Sequence, residues 1–168
     1  KCSTNIQIAN NTWAQGTAGI NVYDYGYNCG SSDKKIVIDG NKFINVTPSW
    51  SEGKIGIVEV NGVTITNNLI QGQISGNGGD GIQTGGSNAN IVIGPGNIFR
   101  DIRQAACDAT AGVPHCDAIQ IVGGASNFVI NGNWFDNVEV TLQHHDGTAP
   151  VKFTNNLVTN SVQMWAYD

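Results

Sequence analysis

A short pattern recurs six times along the chain and constrains its fold more than any other feature. Each copy has two apolar residues separated by one position, a short gap, an Asn, and another apolar residue two positions later. The intervals between successive Asn residues are 30, 27, 29, 36 and 23 positions. A period of this length is typical of proteins built from stacked repeats. The six residues are Asn11, Asn41, Asn68, Asn97, Asn133 and Asn156.

A second alternating run follows each Asn, as in Gly81-Ile82-Gln83-Thr84 and Ala118-Ile119-Gln120-Ile121. Each repeat therefore holds two or more short strands, separated by turns that contain Gly or Asn. One repeat cannot bury its apolar side alone, but stacked repeats share a continuous core. The repeated Asn residues would then lie one above another at the strand spacing of ~4.8 Å, where side-chain amides can hydrogen-bond along the stack.

The unit Ile36-Val37-Ile38, followed by Asn41 and Phe43, resembles the repeat of the pectate-lyase-like superfamily, and the resemblance extends from Asn5 to Met164. It implies an all-β, right-handed parallel β-helix of about six coils with an internal Asn ladder. We expect a single domain over residues 1–168, either complete or a fragment of a longer solenoid. The alternative is a β-sandwich of short strands, in which the Asn residues would not keep a common register.

Composition excludes several other classes of protein. Only 12% of the 168 residues are charged and the chain has 22 Gly and one Met, which argues against a helical bundle. With 40% hydrophobic residues the chain can bury a core, so disorder is not expected. A net charge of −5 argues against nucleic acid and anionic lipid as partners. No apolar run is long enough to span a membrane, and no secretory leader opens the sequence, so residue 1 is expected to be a processed or trimmed start.

Four cysteines, Cys2, Cys29, Cys107 and Cys116, allow three disulfide connectivities. We predict the two local pairings, Cys2–Cys29 and Cys107–Cys116. Disulfides form in oxidising compartments, so these pairings predict a secreted, extracellular protein. The alternative is four buried free thiols in a cytosolic protein.

Two neighbouring repeats carry the same polar motif, Asp80-Gly81-Ile82-Gln83 and Asp117-Ala118-Ile119-Gln120. Because the Ile residues face the core, the Gln residues face outward, and Gln143 and Gln163 are expected to extend that row. The same alignment stacks Asp80 on Asp117 at roughly one strand spacing, ~5 Å. Two carboxyl groups this close cannot both ionise easily, so the pKa of one should rise and supply an acid beside a base.

All three histidines are expected beside this carboxyl pair. His115 lies near the end of the long insertion from Arg103 to Cys116, two residues before Asp117, and His144-His145-Asp146 follows Gln143. The predicted catalytic residues are therefore Asp80, Asp117, His115, His145 and Asp146. The predicted substrate-binding residues are Gln83, Gln120, Gln143, His144 and Arg103. The alternative is a purely structural ladder, in which His144 shares the inward parity of Leu142 and is a core residue.

The resemblance implies a polysaccharide lyase, hydrolase or epimerase acting on polyuronides. Lyases of that superfamily use a Lys or Arg base and neutralise the sugar carboxylate with calcium or another cation. This chain departs from that pattern, because Arg100 and Arg103 are its only arginines and lie at the start of the insertion. An Asp/His set suits inverting glycoside hydrolysis, although ~5 Å is shorter than the usual ~6.5–9.5 Å and Asp146 would be needed for the longer separation. Alternatively, the Asp pair binds calcium with Gln oxygens.

We therefore expect a secreted carbohydrate-active protein that cleaves or binds an extracellular polysaccharide. The glycan, and the choice between lysis, hydrolysis and binding alone, are left open. The alternative is a non-catalytic structural or adhesive solenoid. Since no amphipathic helix at either terminus is evident to cover the exposed strand edges, such a chain would stack end to end into a filament.

Overall fold

The structure is a computed structural model that describes residues 3–16, 19–24, 34–46, 53–72, 79–103, 116–144 and 150–166. Within these ranges all regular secondary structure is β-strand, in eighteen strands. Six coils follow one another along the chain, and each contributes one strand to each of three six-stranded sheets. All pairings between these strands are parallel, as expected for a β-helix and at odds with the β-sandwich alternative.

The three sheets run the length of the stack, and their strands follow in coil order. The first sheet contains β1 (Gln7–Ala9), β4 (Ile36–Asp39), β7 (Asn61–Thr66), β10 (Asn88–Ile93), β13 (Ala125–Asn131) and β16 (Val151–Thr154). The second contains β2 (Thr12–Gly16), β5 (Lys42–Val46), β8 (Leu69–Gln71), β11 (Ile98–Arg100), β14 (Trp134–Asp136) and β17 (Leu157–Thr159). The third contains β3 (Ile20–Tyr23), β6 (Ile55–Val58), β9 (Ile82–Gly85), β12 (Asp117–Ile121), β15 (Val140–His144) and β18 (Gln163–Ala166).

The core is built from identical positions on successive coils. Ile38, Ile65, Ile93 and Ile130 are register partners in the first sheet and are completely buried. The second sheet adds stacked rings, with the centroids of Phe99 and Phe135 separated by 4.7 Å. β-Branched and aromatic side chains pack well on a pleated surface that buries every second residue, which explains why the alternating runs form these strands.

The predicted internal Asn ladder is present. In all five steps the side-chain amide of one Asn donates a hydrogen bond from Nδ2 to Oδ1 of the next, over 2.8–3.1 Å. Asn97 keeps its place in the ladder although Pro95 lengthens its turn. The right-handed sense of the coils and the boundaries of the domain stay predictions. The members in order are Asn11, Asn41, Asn68, Asn97, Asn133 and Asn156.

The residue directly before each ladder Asn explains the sharp turn between the first and second sheets. All six have a positive φ, between 55° and 82°. Gly and, less readily, Asn adopt this left-handed conformation at the lowest steric cost. The turn therefore favours an Asn-Asn or Gly-Asn pair, and every coil has one. The six residues are Asn10, Gly40, Asn67, Gly96, Gly132 and Asn155.

One of the four cysteines, Cys116, lies within the described residues. It is completely buried and is not a free thiol. Both predicted pairings include a residue outside the described ranges, so they stay predictions.

Among the described residues, no helix has the length and apolar character needed to cross a membrane.

Candidate functional site

The candidate site lies at the start of three neighbouring strands of the third sheet, β6, β9 and β12. Ile55, Ile82 and Ile119 are register partners across these strands. Asp80 and Asp117 therefore occupy the same position on adjacent coils, two residues before the shared Ile. Lys54 lies one residue before the Ile of the preceding coil, and its backbone N–H donates to the Asp80 carbonyl over 2.9 Å. We call Lys54, Asp80 and Asp117 the carboxyl cluster.

The two carboxyl groups are stacked as the sequence predicts, and both are removed from water. Asp80 is 8% exposed and Asp117 is completely buried. The backbone N–H of Asp117 donates a hydrogen bond of 2.8 Å to Oδ1 of Asp80. The neighbouring coils are thus joined by a hydrogen bond to a carboxylate oxygen as well as by the backbone hydrogen bonds of the sheet.

Burial changes the acidity of both groups. Loss of hydration raises the pKa of Asp80 to about 7, against the opposing effects of the Asp117 amide and the positive charge of Lys54. Burial also raises the pKa of Asp117 to about 8, and the negative charge of Asp80 adds to that rise. The pair therefore titrates near neutrality, where a carboxyl group can both give and accept a proton.

Lys54 is not among the site residues predicted from the sequence. Its side chain is completely buried, and Nζ donates a hydrogen bond of 3.0 Å to the carbonyl oxygen of Gly79. Burial lowers the pKa of Lys54 to about 8, and the nearby charge of Asp80 opposes this change. The sequence feature that could have identified Lys54 is its place in the repeat, which is one position away from that of Asp80 on the adjacent repeat.

Three glutamines form a second hydrogen-bonded row, which we call the amide row. Gln83 donates from Nε2 to Oε1 of Gln120 over 2.5 Å, and Gln120 donates in the same way to Gln143 over 2.7 Å. Register confirms that these residues lie opposite one another on β9, β12 and β15. Gln120 and Gln143 point away from the core side of the strand and are nevertheless buried, whereas Gln83 is partly exposed.

The amide row ends at Gln143, so the predicted extension to Gln163 is wrong. The register between β15 and β18 shifts, which pairs Gln163 with Val140 and places Trp165 opposite Gln143. Such irregularities change which residue meets a given neighbour without breaking the sheet.

His144 and Arg103 are not part of the carboxyl cluster, and their surroundings differ from each other. His144 pairs with Ile121, a completely buried core residue, which gives it the inward parity considered above and separates it from the amide row. Its Nε2 atom is buried and has no hydrogen-bond partner within the described part of the chain. Arg103 donates from Nη1 to Asn137 over 3.1 Å, and its Nε lies 3.5 Å from Oε2 of Glu139.

The remaining predicted site residues, His115, His145 and Asp146, lie outside the described residues, and their roles stay predictions. In the described ranges, no group of three or more His, Cys, Asp or Glu side chains is placed to hold a metal ion. Lys54 already supplies a positive charge beside Asp80, and the two carboxyl groups hold protons near neutrality. These groups do not suit calcium, which binds several carboxylate, carbonyl and water oxygens.

No protein-family model, curated protein or solved structure matches this chain. The resemblance to the pectate-lyase-like superfamily therefore depends on the repeat pattern, and the structure supports it at the level of three stacked parallel sheets.

Proposed function

We propose that this chain is a secreted carbohydrate-active protein that cleaves or binds an extracellular polysaccharide at the start of strands β9 and β12 of the third sheet. The observation that carries the proposal is the stacking of Asp80 and Asp117 on adjacent coils, where burial raises the pKa of both carboxyl groups. General acid and base catalysis is most efficient when the pKa of the catalytic group is near the working pH. Most glycoside hydrolases use a pair of carboxyl groups that flank the reacting bond, one of them a general acid with a raised pKa.

Each group in the site has a distinct part in this proposal. Asp117 donates a proton to the leaving oxygen, and Asp80, stabilised as an anion by the Asp117 amide, acts as base or nucleophile. Gln83 is the partly exposed end of the amide row and offers amide hydrogen-bonding groups to sugar hydroxyls. The spacing of adjacent coils, ~4.8 Å, is closer to the ~5–5.5 Å of retaining glycosidases than to the inverting separation.

Access to the acid is the main structural requirement. Asp117 is completely buried, so a glycan reaches it only if the chain around the site opens. Gln83 is the more exposed group and would make the first contact. Binding without cleavage is therefore the less demanding form of the proposal, because it requires contact only at the exposed side of the site, at Gln83.

The experiment is a screen of the purified chain against polyuronides and neutral polysaccharides, with reducing ends, unsaturated products and binding measured in parallel. Asp117→Asn is expected to lower any cleavage by about 100-fold or more, the usual contribution of a general acid. Asp39→Asn is the matched control, because Asp39 is a carboxylate of the first sheet that accepts hydrogen bonds from Thr66 and Asn67. Cleavage that survives Asp117→Asn and Asp80→Asn unchanged contradicts the assignment.

A second candidate, a non-catalytic solenoid that self-associates end to end, is favoured by one observation. The sixth coil leaves several large apolar side chains exposed, and Val158 is 42% exposed although it continues the buried Phe135 position. Exposed apolar groups of this kind favour association. Sedimentation at increasing concentration tests it: Val158→Asp should weaken association, and monomers at every concentration remove this candidate. The exposed residues of this coil are Leu157, Val158, Val162 and Met164.

A further inference from the structure

The outer face of the second sheet carries two parallel rows of side chains, which we call the apolar row and the polar row. Strand residues alternate between the core and the outside, and the inward positions of this sheet hold the stacked Phe99 and Phe135. The register has no shift from β5 to β17, so equivalent outward residues form straight columns. The apolar row is Leu69, Ile98, Trp134 and Leu157, and the polar row is Gln71, Arg100, Asp136 and Thr159.

The apolar row is open to water although its members are large. Leu157 is 57% exposed, and Leu69, Ile98 and Trp134 are partly exposed. The inward positions of β11 and β14 are already filled by completely buried Phe residues, so the outward residues are not needed to complete the core. Contiguous apolar side chains bordered by polar ones are typical of a surface that binds a ligand or a partner.

The indole ring of Trp134 is held in one position by its neighbours. Its Nε1 donates a hydrogen bond of 2.9 Å to Oγ1 of Thr159 on the next coil, and that hydroxyl donates over 2.9 Å to Oδ1 of Asp136. Arg100, on the preceding coil, places its guanidinium carbon 5.5 Å from the centroid of the ring. Because the ring is already fixed, a ligand that stacks on it has little side-chain ordering to pay for.

Arg100 has hydrogen-bonding capacity that the described part of the chain does not use. Its Nε lies 3.9 Å from Oδ2 of Asp136, which is too far for a hydrogen bond, and has no hydrogen-bond partner among the described residues. Oδ1 of Asp136 already accepts from Thr159 and Asn160. The side chain of Arg100 is 38% exposed, so its guanidinium can donate to a ligand that lies beside the Trp134 ring.

We propose that the two rows form a docking surface for an extended, neutral polysaccharide chain that lies along the stack of coils, apart from the site on the third sheet. A pyranose ring has apolar C–H faces and hydroxyl groups at its edge, so it complements an aromatic ring flanked by hydrogen-bonding groups. Repetition of both rows at the coil spacing of ~4.8 Å suits a polymer of repeated units.

The charges on the surface favour a neutral chain over an acidic one. Arg100 and Asp136 lie side by side with opposite charges, and the other two members of the polar row, Gln71 and Thr159, are neutral. The choice of a carbohydrate as the ligand rests on the proposed function, whereas the position of the surface does not.

The test is a set of binding isotherms of the purified chain on amorphous cellulose and on chitin, both extended neutral polymers, with a polygalacturonate gel as the acidic comparison. Trp134→Ala is expected to weaken binding to the neutral polymers about tenfold, the upper end of the effect of one aromatic contact. Arg100→Met should weaken it about threefold, as for the loss of one hydrogen bond. Tyr23→Ala is the matched control and should bind as the unchanged protein does, because Tyr23 is an aromatic residue 44% exposed on the third sheet.

The proposal is overturned if neither cellulose nor chitin retains the unchanged protein, if polygalacturonate alone retains it, or if Trp134→Ala binds as tightly as the unchanged protein. Loss of self-association in Trp134→Ala, with retention unaltered, would assign the rows to contact between copies and would also overturn it. If Trp134→Ala does not fold, Arg100→Met decides in its place. Failure of the proposed function gives a different result: Asp80→Asn and Asp117→Asn change neither cleavage nor binding of soluble glycans, while retention on the polymer still depends on Trp134.

Discussion

Removal of one amide from the middle of the Asn ladder should destabilise the protein far more than removal of its first amide. The side chain of Asn68 makes five hydrogen bonds. Oδ1 accepts from the backbone N–H and from Nδ2 of Asn41, and Nδ2 donates to Asn97 and to the carbonyl oxygens of Ile38 and Thr66. Asn68 is also buried, so water cannot take over these contacts.

The size of the effect follows from the groups left without partners in Asn68→Ala. The Asn41 backbone N–H loses its acceptor and the carbonyl oxygen of Ile38 loses a donor, whereas the carbonyl oxygen of Thr66 keeps the backbone N–H of Gly40. Each buried polar group left unpaired costs about 1–3 kcal/mol, with the carbonyl at the low end. We therefore expect Asn68→Ala to lower the free energy of unfolding by about 2–4 kcal/mol.

Asn11→Ala is the matched control, because it deletes the same amide at the same position of the first coil. The Asn11 side chain is exposed and donates only to Asn41 and the carbonyl of Ala9 in the described structure. Its loss should cost about 1 kcal/mol, since water can replace these contacts. Urea denaturation followed by far-UV circular dichroism measures both. The reasoning is refuted if Asn68→Ala costs no more than Asn11→Ala.

Three other outcomes are expected. Stability should fall as the pH rises from about 5 to 7, by about 1.4 kcal/mol per pH unit for each proton retained, because the buried Asp80 and Asp117 pair keeps in the folded state protons that the unfolded chain releases near its ordinary pKa of 3.8. Asp117→Asn should flatten this slope, and a higher urea midpoint at pH 8 than at pH 5 contradicts it. Phe99→Ala should lower the free energy of unfolding by about 3–5 kcal/mol by calorimetry, and by more than Phe153→Ala, because Phe99 is completely buried and Phe153 only partly. Equal losses in the two variants would argue against the packing described. Asn67→Val should lower the free energy of unfolding by about 1–2 kcal/mol more than Asn67→Gly in urea denaturation. Both variants lose the hydrogen bond to Asp39, but only Val is strained at a φ of 56°. Similar stabilities of the two variants would count against backbone strain as the cause.

Much of the architecture could be predicted because the coils repeat. An Asn at a constant offset from an alternating strand predicts that equivalent residues stack, and the five amide contacts of the ladder follow from that alone. The same reasoning predicts Asp80 on Asp117, and Gln83 on Gln120. These contacts depend on local spacing, which the order of residues states directly.

The sequence by itself determined which residues share a position on successive coils, since that follows from the period of the repeat. Only the tertiary structure decided the second sheet as a complete six-stranded layer, the end of the amide row at Gln143, and the burial of Lys54. The row ends because the register shifts between β15 and β18, and no single strand encodes the register of its neighbour. Burial and the resulting pKa changes depend on how much of the chain surrounds a group, so they emerge only when adjacent coils are in contact.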